Sequence, residues 1–258
     1  MTLNRQIYVF ENSYALTNFY IKKWAEVAVQ AICDRGVFTT ALSGGRTPVE
    51  LLCKLSSIDN FELWANTKIF QVDERFVKQD DKDNNFKLIY ENLLHYVAVP
   101  PDNVFSIATD VDTATMAASN YEHVLRKTFN VGFEECPQFD LINLGLGEDG
   151  HTASLFPGTS VLTEEKQLVV PVSEPNVSHN RISLTFPVIN NARNIIFHVQ
   201  GRAKAKILRK VIDGDISYPA TQVSPNKGEL IFLLDKEAAS VLEYGDEYEV
   251  LDEGILLK

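Results

Sequence analysis

Residues 139–158 read FDLINLGLGEDGHTASLFPG. A short apolar run ends at Gly145 and Gly147, and Glu148, Asp149, Gly150 and His151 follow at once. An apolar run of this length bounded by glycines reads as a buried strand with a tight turn at its carboxyl end. The same punctuation recurs along the chain. Strands are expected at 36–43, 68–74, 103–108, 139–146, 168–173, 181–186, 194–199 and 229–235. Helical patterns fill 13–34, 48–57, 86–96, 112–129 and 202–213, and Pro48 suits a first helical turn, where its missing N–H costs nothing. Strands alternating with helices imply βαβ units, so the fold class is α/β with a mainly parallel sheet flanked by helices. The denser strands of the C-terminal part add a mixed sheet or a small appended layer. Residues 1–258 read as one domain, with 79–86 and 173–180 as its mobile loops. In open α/β sheets ligands collect at the carboxyl ends of the strands, so the unusual residues are sought there.

Composition narrows the function. A chain of 258 residues can bury a substantial core without disulfides or metals. Its net charge of −11 argues against nucleic-acid binding, which needs a basic face. An anionic ligand would therefore have to be held by a local cluster of cations and backbone N–H groups. Cys33, Cys53 and Cys136 are widely spaced and form no CxxC pair. They build neither a disulfide framework nor a zinc site and suit a reducing compartment, so a cytoplasmic protein is expected. No apolar stretch approaches the length of a membrane span, and the first residues lack the pattern of a signal peptide.

Four constellations carry chemistry. In ALSGGRTP (41–48), Ser43, Gly44 and Gly45 lie between a strand and a helix start. Glycines admit a ligand close to the backbone, and a helix N-terminus favours an anion; a bare strand-to-helix turn is the alternative. In QVDERFV (71–77), Asp73, Glu74 and Arg75 taken alone read as a surface ion pair. In the opening stretch, alternate residues of an extended turn point the same way, so Asp149 and His151 can converge. A histidine titrates near neutrality and is the usual general base, and a carboxylate can orient it. Downstream, Arg181 opens RISLTF, and Lys204 stands in GRAKAKIL (201–208) near a helix start, where cations oppose the dipole and call for an anion. Arg202, Lys206 and Arg209 read as a solvated face. His95, His123, His179 and His198 read as surface or packing residues, and Ser154 lacks a nucleophile elbow.

Taken in order, SGGRTP, VDERFV, LGLGEDGHTASLFPG, RISLTFPVIN and GRAKAKIL resemble the successive motifs of the 6-phosphogluconolactonases. The likeness runs on to PATQVSPNKGELIFLLDKEAA (219–239). It implies a Rossmann-like fold shared with glucosamine-6-phosphate deaminases. It also implies hydrolysis of 6-phospho-D-glucono-1,5-lactone to 6-phospho-D-gluconate, the second step of the oxidative pentose phosphate pathway, by a monomer or homodimer needing no cofactor and no metal. By the family pattern His151 activates water, with Asp149 beside it. Ser43, Gly44, Gly45 and Arg46 would line the phosphate site with Arg181 and Lys204, and Asp73 and Arg75 the sugar pocket. One departure is visible: many members carry a serine before the asparagine of the loop after DER, where this chain has Asp83-Asn84-Asn85.

Two rivals are set aside on residues. Deaminases of this family continue their DGH turn with an acidic residue in an N-E-P run, and Phe156 stands in its place here. Sugar-phosphate sensors with this fold carry a basic helix-turn-helix module, and no such segment is read.

Overall fold

The computed structural model describes residues 5–45, 48–175, 177–243 and 248–257. The chain opens with β1 (Arg5–Phe10) and α1 (Ser13–Arg35), which crosses to β2 (Phe38–Leu42). Helices α2 (Pro48–Leu55) and α3 (Phe61–Ala65) lead to β3 (Thr67–Gln71), and β4 (Asp73–Arg75) begins one residue later. Helix α4 (Asn85–Ile89) widens into a π turn over Tyr90–Leu94, before β5 (Val104–Phe105), α5 (Ala114–Phe129) and β6 (Leu141–Leu144). Then come β7 (Val169–Val172), β8 (Arg181–Leu184), α6 (Phe186–Asn190), β9 (Asn194–Val199) and α7 (Ala205–Ile212). Strands β10 (Glu229–Asp235), β11 (Tyr248–Val250) and β12 (Gly254–Leu257) complete the order.

Nine strands form one sheet in the order β11-β12-β1-β10-β9-β6-β2-β3-β5. From β1 to β5 every pairing is parallel, and only β12 and β11 run antiparallel, at one edge. The expected mainly parallel sheet is therefore present. So is an appended layer, an antiparallel three-stranded sheet of order β4-β8-β7. Each expected strand falls on an observed one, but 68–74 is not one strand. It divides between the two sheets at Val72, which is fully buried. The Val72 N–H donates to Leu42 O of β2 at 3.0 Å, while its carbonyl accepts from Leu184 N–H of β8 at 2.9 Å. An apolar run carries no mark of a change of partner, which is why the sequence reads it as continuous.

Both faces of the large sheet are covered, as parallel sheets require. Along β10, Ile231 and Leu233 join one core with Leu16, Tyr20 and Trp24 of α1, while Leu230, Phe232 and Leu234 join the other with Tyr121 and Leu125 of α5. Helix α1 is capped by Asn12, whose side chain accepts from Ala15 N–H, and stops at Gly36 in a left-handed conformation (φ 75°). Among the described residues no helix is long and apolar enough to cross a membrane. The loop expected at 79–86 is more ordered than its composition suggests. Asn84 and Asn85 are 2% and 1% exposed, and the Asn84 side chain caps α4 by accepting from Lys87 N–H at 2.8 Å.

Strand order reverses direction between β2 and β6: the chain leaves β2 toward β3 and β5, then returns to β2's other side. A crevice outside the carboxyl ends of two such strands is where α/β folds place ligands.

Candidate active site

That crevice is a cleft of about 830 Å³. It brings together Ser43, Gly44, Gly45, Asp73, Arg75, Asp149, His151, Arg181 and Lys204, all singled out in the sequence. Arg46 lies outside the described residues.

The turn after β6 is held from within and from outside. Inside it, Gly147 N–H donates to His151 O at 2.8 Å, Gly150 N–H to Gly147 O at 3.1 Å, and the Thr152 hydroxyl to Gly145 O at 2.9 Å. From outside, Ala220 N–H donates to Gly150 O at 3.0 Å. Gly150 has φ +83° and lies against Tyr218, whose ring a Cβ would meet at 2.4 Å. Tyr218 and the segment after it thus brace the turn, a role with no local signal in the residues themselves. The chain reaches His151 with its Nδ1 only 2.5 Å from Asp149 Oδ1. The pair needs Gly147 beneath it, since a Cβ there would sit 2.2 Å from His151 Nδ1 and 2.5 Å from Asp149 Oδ1. Partial burial pushes the Asp149 carboxyl up, but the hydrogen bond and charge of His151 outweigh it and hold the group below the usual carboxylate range. Phe156 packs against the His151 ring, with centroids 4.6 Å apart. It is 5% exposed and rests on Val170 and Val172 of β7, so it fixes the far face of the imidazole.

The second wall is built by β2 and β4. The Ser43 hydroxyl donates to Asn143 O of β6 at 2.8 Å and ties the two central strands together. Asp73 accepts from the Ser154 hydroxyl at 2.6 Å. Ser154 is fully buried and turned to Asp73. Its hydroxyl is thus committed to a carboxylate and not to His151, in keeping with its lack of a nucleophile elbow. The surface ion pair expected of Asp73-Glu74-Arg75 is not there. Glu74 is fully buried and accepts from Gln71 Nε2 (2.7 Å) and from the N–H groups of Arg75 (2.8 Å), Asn85 (2.7 Å) and Phe86 (2.8 Å). Burial nevertheless pushes its carboxyl up to about 6. Arg75 instead donates to Asp83 O at 2.9 Å.

Arg181 donates to His179 O at 2.7 Å, and its guanidinium is lowered from its ordinary value by burial and then by neighbouring Arg75. Arg75 and Arg181 stand opposite each other in the β4–β8 register, and although Asp73, Asp83 and Glu74 partly offset their repulsion, two cations side by side favour an anion in the cleft. Lys204 ends a 3₁₀ turn before α7, with Nζ 4.0 Å from Glu148 Oε1, so the exposed Glu148 faces a cation as well as solvent. Arg202 and Lys206 are exposed, and Arg209 pairs with Asp213 at 2.6 Å, in line with a solvated face.

Two of the histidines read as surface or packing residues have polar partners. His179 stands 3.4 Å from Asp83. His198 lines the cleft at 4% exposure, with Nε2 3.2 Å from Gln200 Nε2, and burial pushes its imidazole down to about 4. Both are partnerships between distant loops or with a neighbour of no diagnostic spacing. Asn85, which also lines the cleft, was missed for the same reason.

Residues 11–232 match the family model described as glucosamine-6-phosphate isomerases/6-phosphogluconolactonase. The chain is 37% identical over 221 residues to 6-phosphogluconolactonase 3, chloroplastic, of Arabidopsis thaliana, covering 81% of this chain and 66% of the plant protein. It is 38% identical over 216 residues to 6-phosphogluconolactonase of a Synechocystis strain, covering 83% of this chain and 88% of that one. The solved 6-phosphogluconolactonase of Trypanosoma cruzi superposes with a TM-score of 0.81 at 29% identity, over 94% of this chain and 98% of the other. The chain belongs to the glucosamine-6-phosphate isomerase/6-phosphogluconolactonase family and stands within it among the 6-phosphogluconolactonases, which are hydrolases.

Proposed function

We propose that this protein hydrolyses 6-phospho-D-glucono-1,5-lactone to 6-phospho-D-gluconate, the lactone-opening step of the oxidative pentose phosphate pathway, with His151 as the base that activates water. The observation that carries the reading is the 2.5 Å Asp149–His151 pair on the rim of a cleft with several cations. With Nδ1 donating to Asp149, the imidazole keeps its Nε2 lone pair for water. A lactone is an activated ester, so a positioned base suffices and no covalent nucleophile is needed. Nε2 takes a proton from the water attacking C1, the tetrahedral intermediate collapses, and the proton returns to the departing ring oxygen. The phosphate, held by the Ser43-Gly44-Gly45 turn with Arg181 and Lys204, would fix C1 against His151 and supply remote binding energy. Asp73 and Arg75 would face the sugar. One domain, working in the cytoplasm, completes the reading, supported by three cysteines without a disulfide.

Fresh lactone, 6-phosphogluconate dehydrogenase and NADP provide the test. The expected outcome is NADPH formation well above the rate of spontaneous lactone opening. No acceleration overturns the reading.

A further inference from the structure

We propose that Asn85 is a positioning residue for the anion-binding turn at Ser43-Gly44-Gly45, and through it a determinant of the preference for a phosphorylated over an unphosphorylated lactone. The inference rests on the functional reading above and extends it to a cleft residue to which that reading gives no role.

The geometry starts from Gly44. A Cβ on Gly44 would lie 2.0 Å from Asn85 Oδ1 and 2.1 Å from its Cγ, so the turn rests directly on the carboxamide. The carboxamide is itself fixed, because Asn85 Nδ2 donates to Asp73 O at 3.1 Å. Its backbone is fixed too: Asn85 N–H donates to Glu74 Oε1 at 2.7 Å, and Phe86 N–H to Glu74 Oε2 at 2.8 Å. Glu74 is anchored in turn by Gln71 of β3. One chain of contacts therefore runs from β3 through Glu74 and Asn85 to the glycine turn, and it sets the turn's distance from Asp73.

A stability role accounts poorly for this carboxamide. Oδ1 is buried and has no hydrogen-bond donor among the described residues. Orphaned buried acceptors weaken a fold, and they persist where the surroundings need the group for another purpose. Here the group's shape supports Gly44, and Oδ1 lies beside a turn that lines the cleft. A neutral carboxamide gives that support without adding negative charge next to an anion.

The experiment compares Asn85→Ala, Asn85→Asp and Gly44→Ala with wild type on 6-phosphogluconolactone and on glucono-1,5-lactone. Competition by inorganic phosphate is measured for each. In Asn85→Ala the ratio of kcat/KM for the two lactones falls at least tenfold, mainly through KM of the phosphorylated one, and inorganic phosphate competes at least tenfold more weakly. Asn85→Asp falls further, since it loses the donor to Asp73 O and places a charge under the turn. Asn84→Ala is the structural control: loss of its helix cap lowers Tm by about 2–4 °C, while the ratio stays at the wild-type value. Should Asn85→Ala not fold, Gly44→Ala, which displaces the carboxamide from the other side, gives the same drop in ratio. A folded variant with an unchanged ratio overturns the proposal, and so does an equal loss on both lactones. Wild type that hydrolyses neither lactone ends the functional reading alone, and the inorganic phosphate comparison then decides the role of Asn85. Wild type that binds no inorganic phosphate overturns that role.

Discussion

Two histidines line one cleft, and their surroundings differ in every respect that matters for proton transfer. His151 is about one-third exposed, its Nδ1 is bound to a carboxylate, and its ring is held by Phe156. His198 is almost wholly buried, has a carboxamide as its side-chain hydrogen-bond partner among the described residues, and is kept neutral down to about pH 4. The first has what a base needs: a partner that stabilises the imidazolium, and access to water. The second is a neutral hydrogen-bonding side chain throughout the physiological range. Placement in a pocket does not separate them; the acidic partner does.

Substitutions can break or sharpen that contrast. His151→Ala is expected to lower kcat by about 10²–10⁴-fold, the usual worth of a general base, while the product still binds by calorimetry. Retained turnover would remove His151 from the chemistry. Gly147→Ala comes next. Its Cβ would sit 2.2 Å from His151 Nδ1, so the pair must move, and a displacement near 1 Å costs on the order of 10²-fold in kcat. Steady-state kinetics on a variant with wild-type circular dichroism measures this.

His198→Leu has the smallest catalytic effect, below the ~10²-fold floor expected for loss of a base. Its signature lies in stability against pH. The folded-state value is depressed from 6.5 to about 4, so the neutral His198 costs nothing above pH 6.5, and stability is lost as pH falls toward 4 while only the unfolded chain takes up a proton. Over that window wild type should lose up to about 3 kcal/mol relative to the leucine variant, as 1.36 kcal/mol per pKa unit implies. Urea unfolding of both proteins at pH 7 and pH 4.5 reads this difference, and parallel curves would show that His198 is not held neutral by burial.

The sequence told more about the site's members than about their company. Glycine punctuation at Gly44 and Gly147, and the alternation of Asp149 with His151, are local signals, and the structure bears out the convergence they suggest. Strands alternating with helices gave the parallel sheet for the same reason. What stayed hidden depends on distant partners. Adjacent Asp73 and Glu74 look alike in the chain, yet one faces the cleft and the other anchors α4 from the core. Strand β1 and the antiparallel pair β11 and β12 went unread. Arg5–Phe10 carries no glycine or proline punctuation of its own, and the last two strands are short and end at a sheet edge. Asn85 looked like part of a polar loop, and only Gly44 packed against it reveals otherwise.

Val72 has a consequence for how the cleft can move. One fully buried peptide unit spends its N–H on the large sheet and its carbonyl on the small one. Swinging the small sheet outward as a rigid body would break at least one of these bonds in a place water cannot reach, so a hinge between the layers is disfavoured. Ligand exchange is left to the rim, where a short segment such as 77–83 can shift without disturbing either sheet. The cleft is therefore a fixed socket with an adjustable lip, and its shape is set before any ligand arrives.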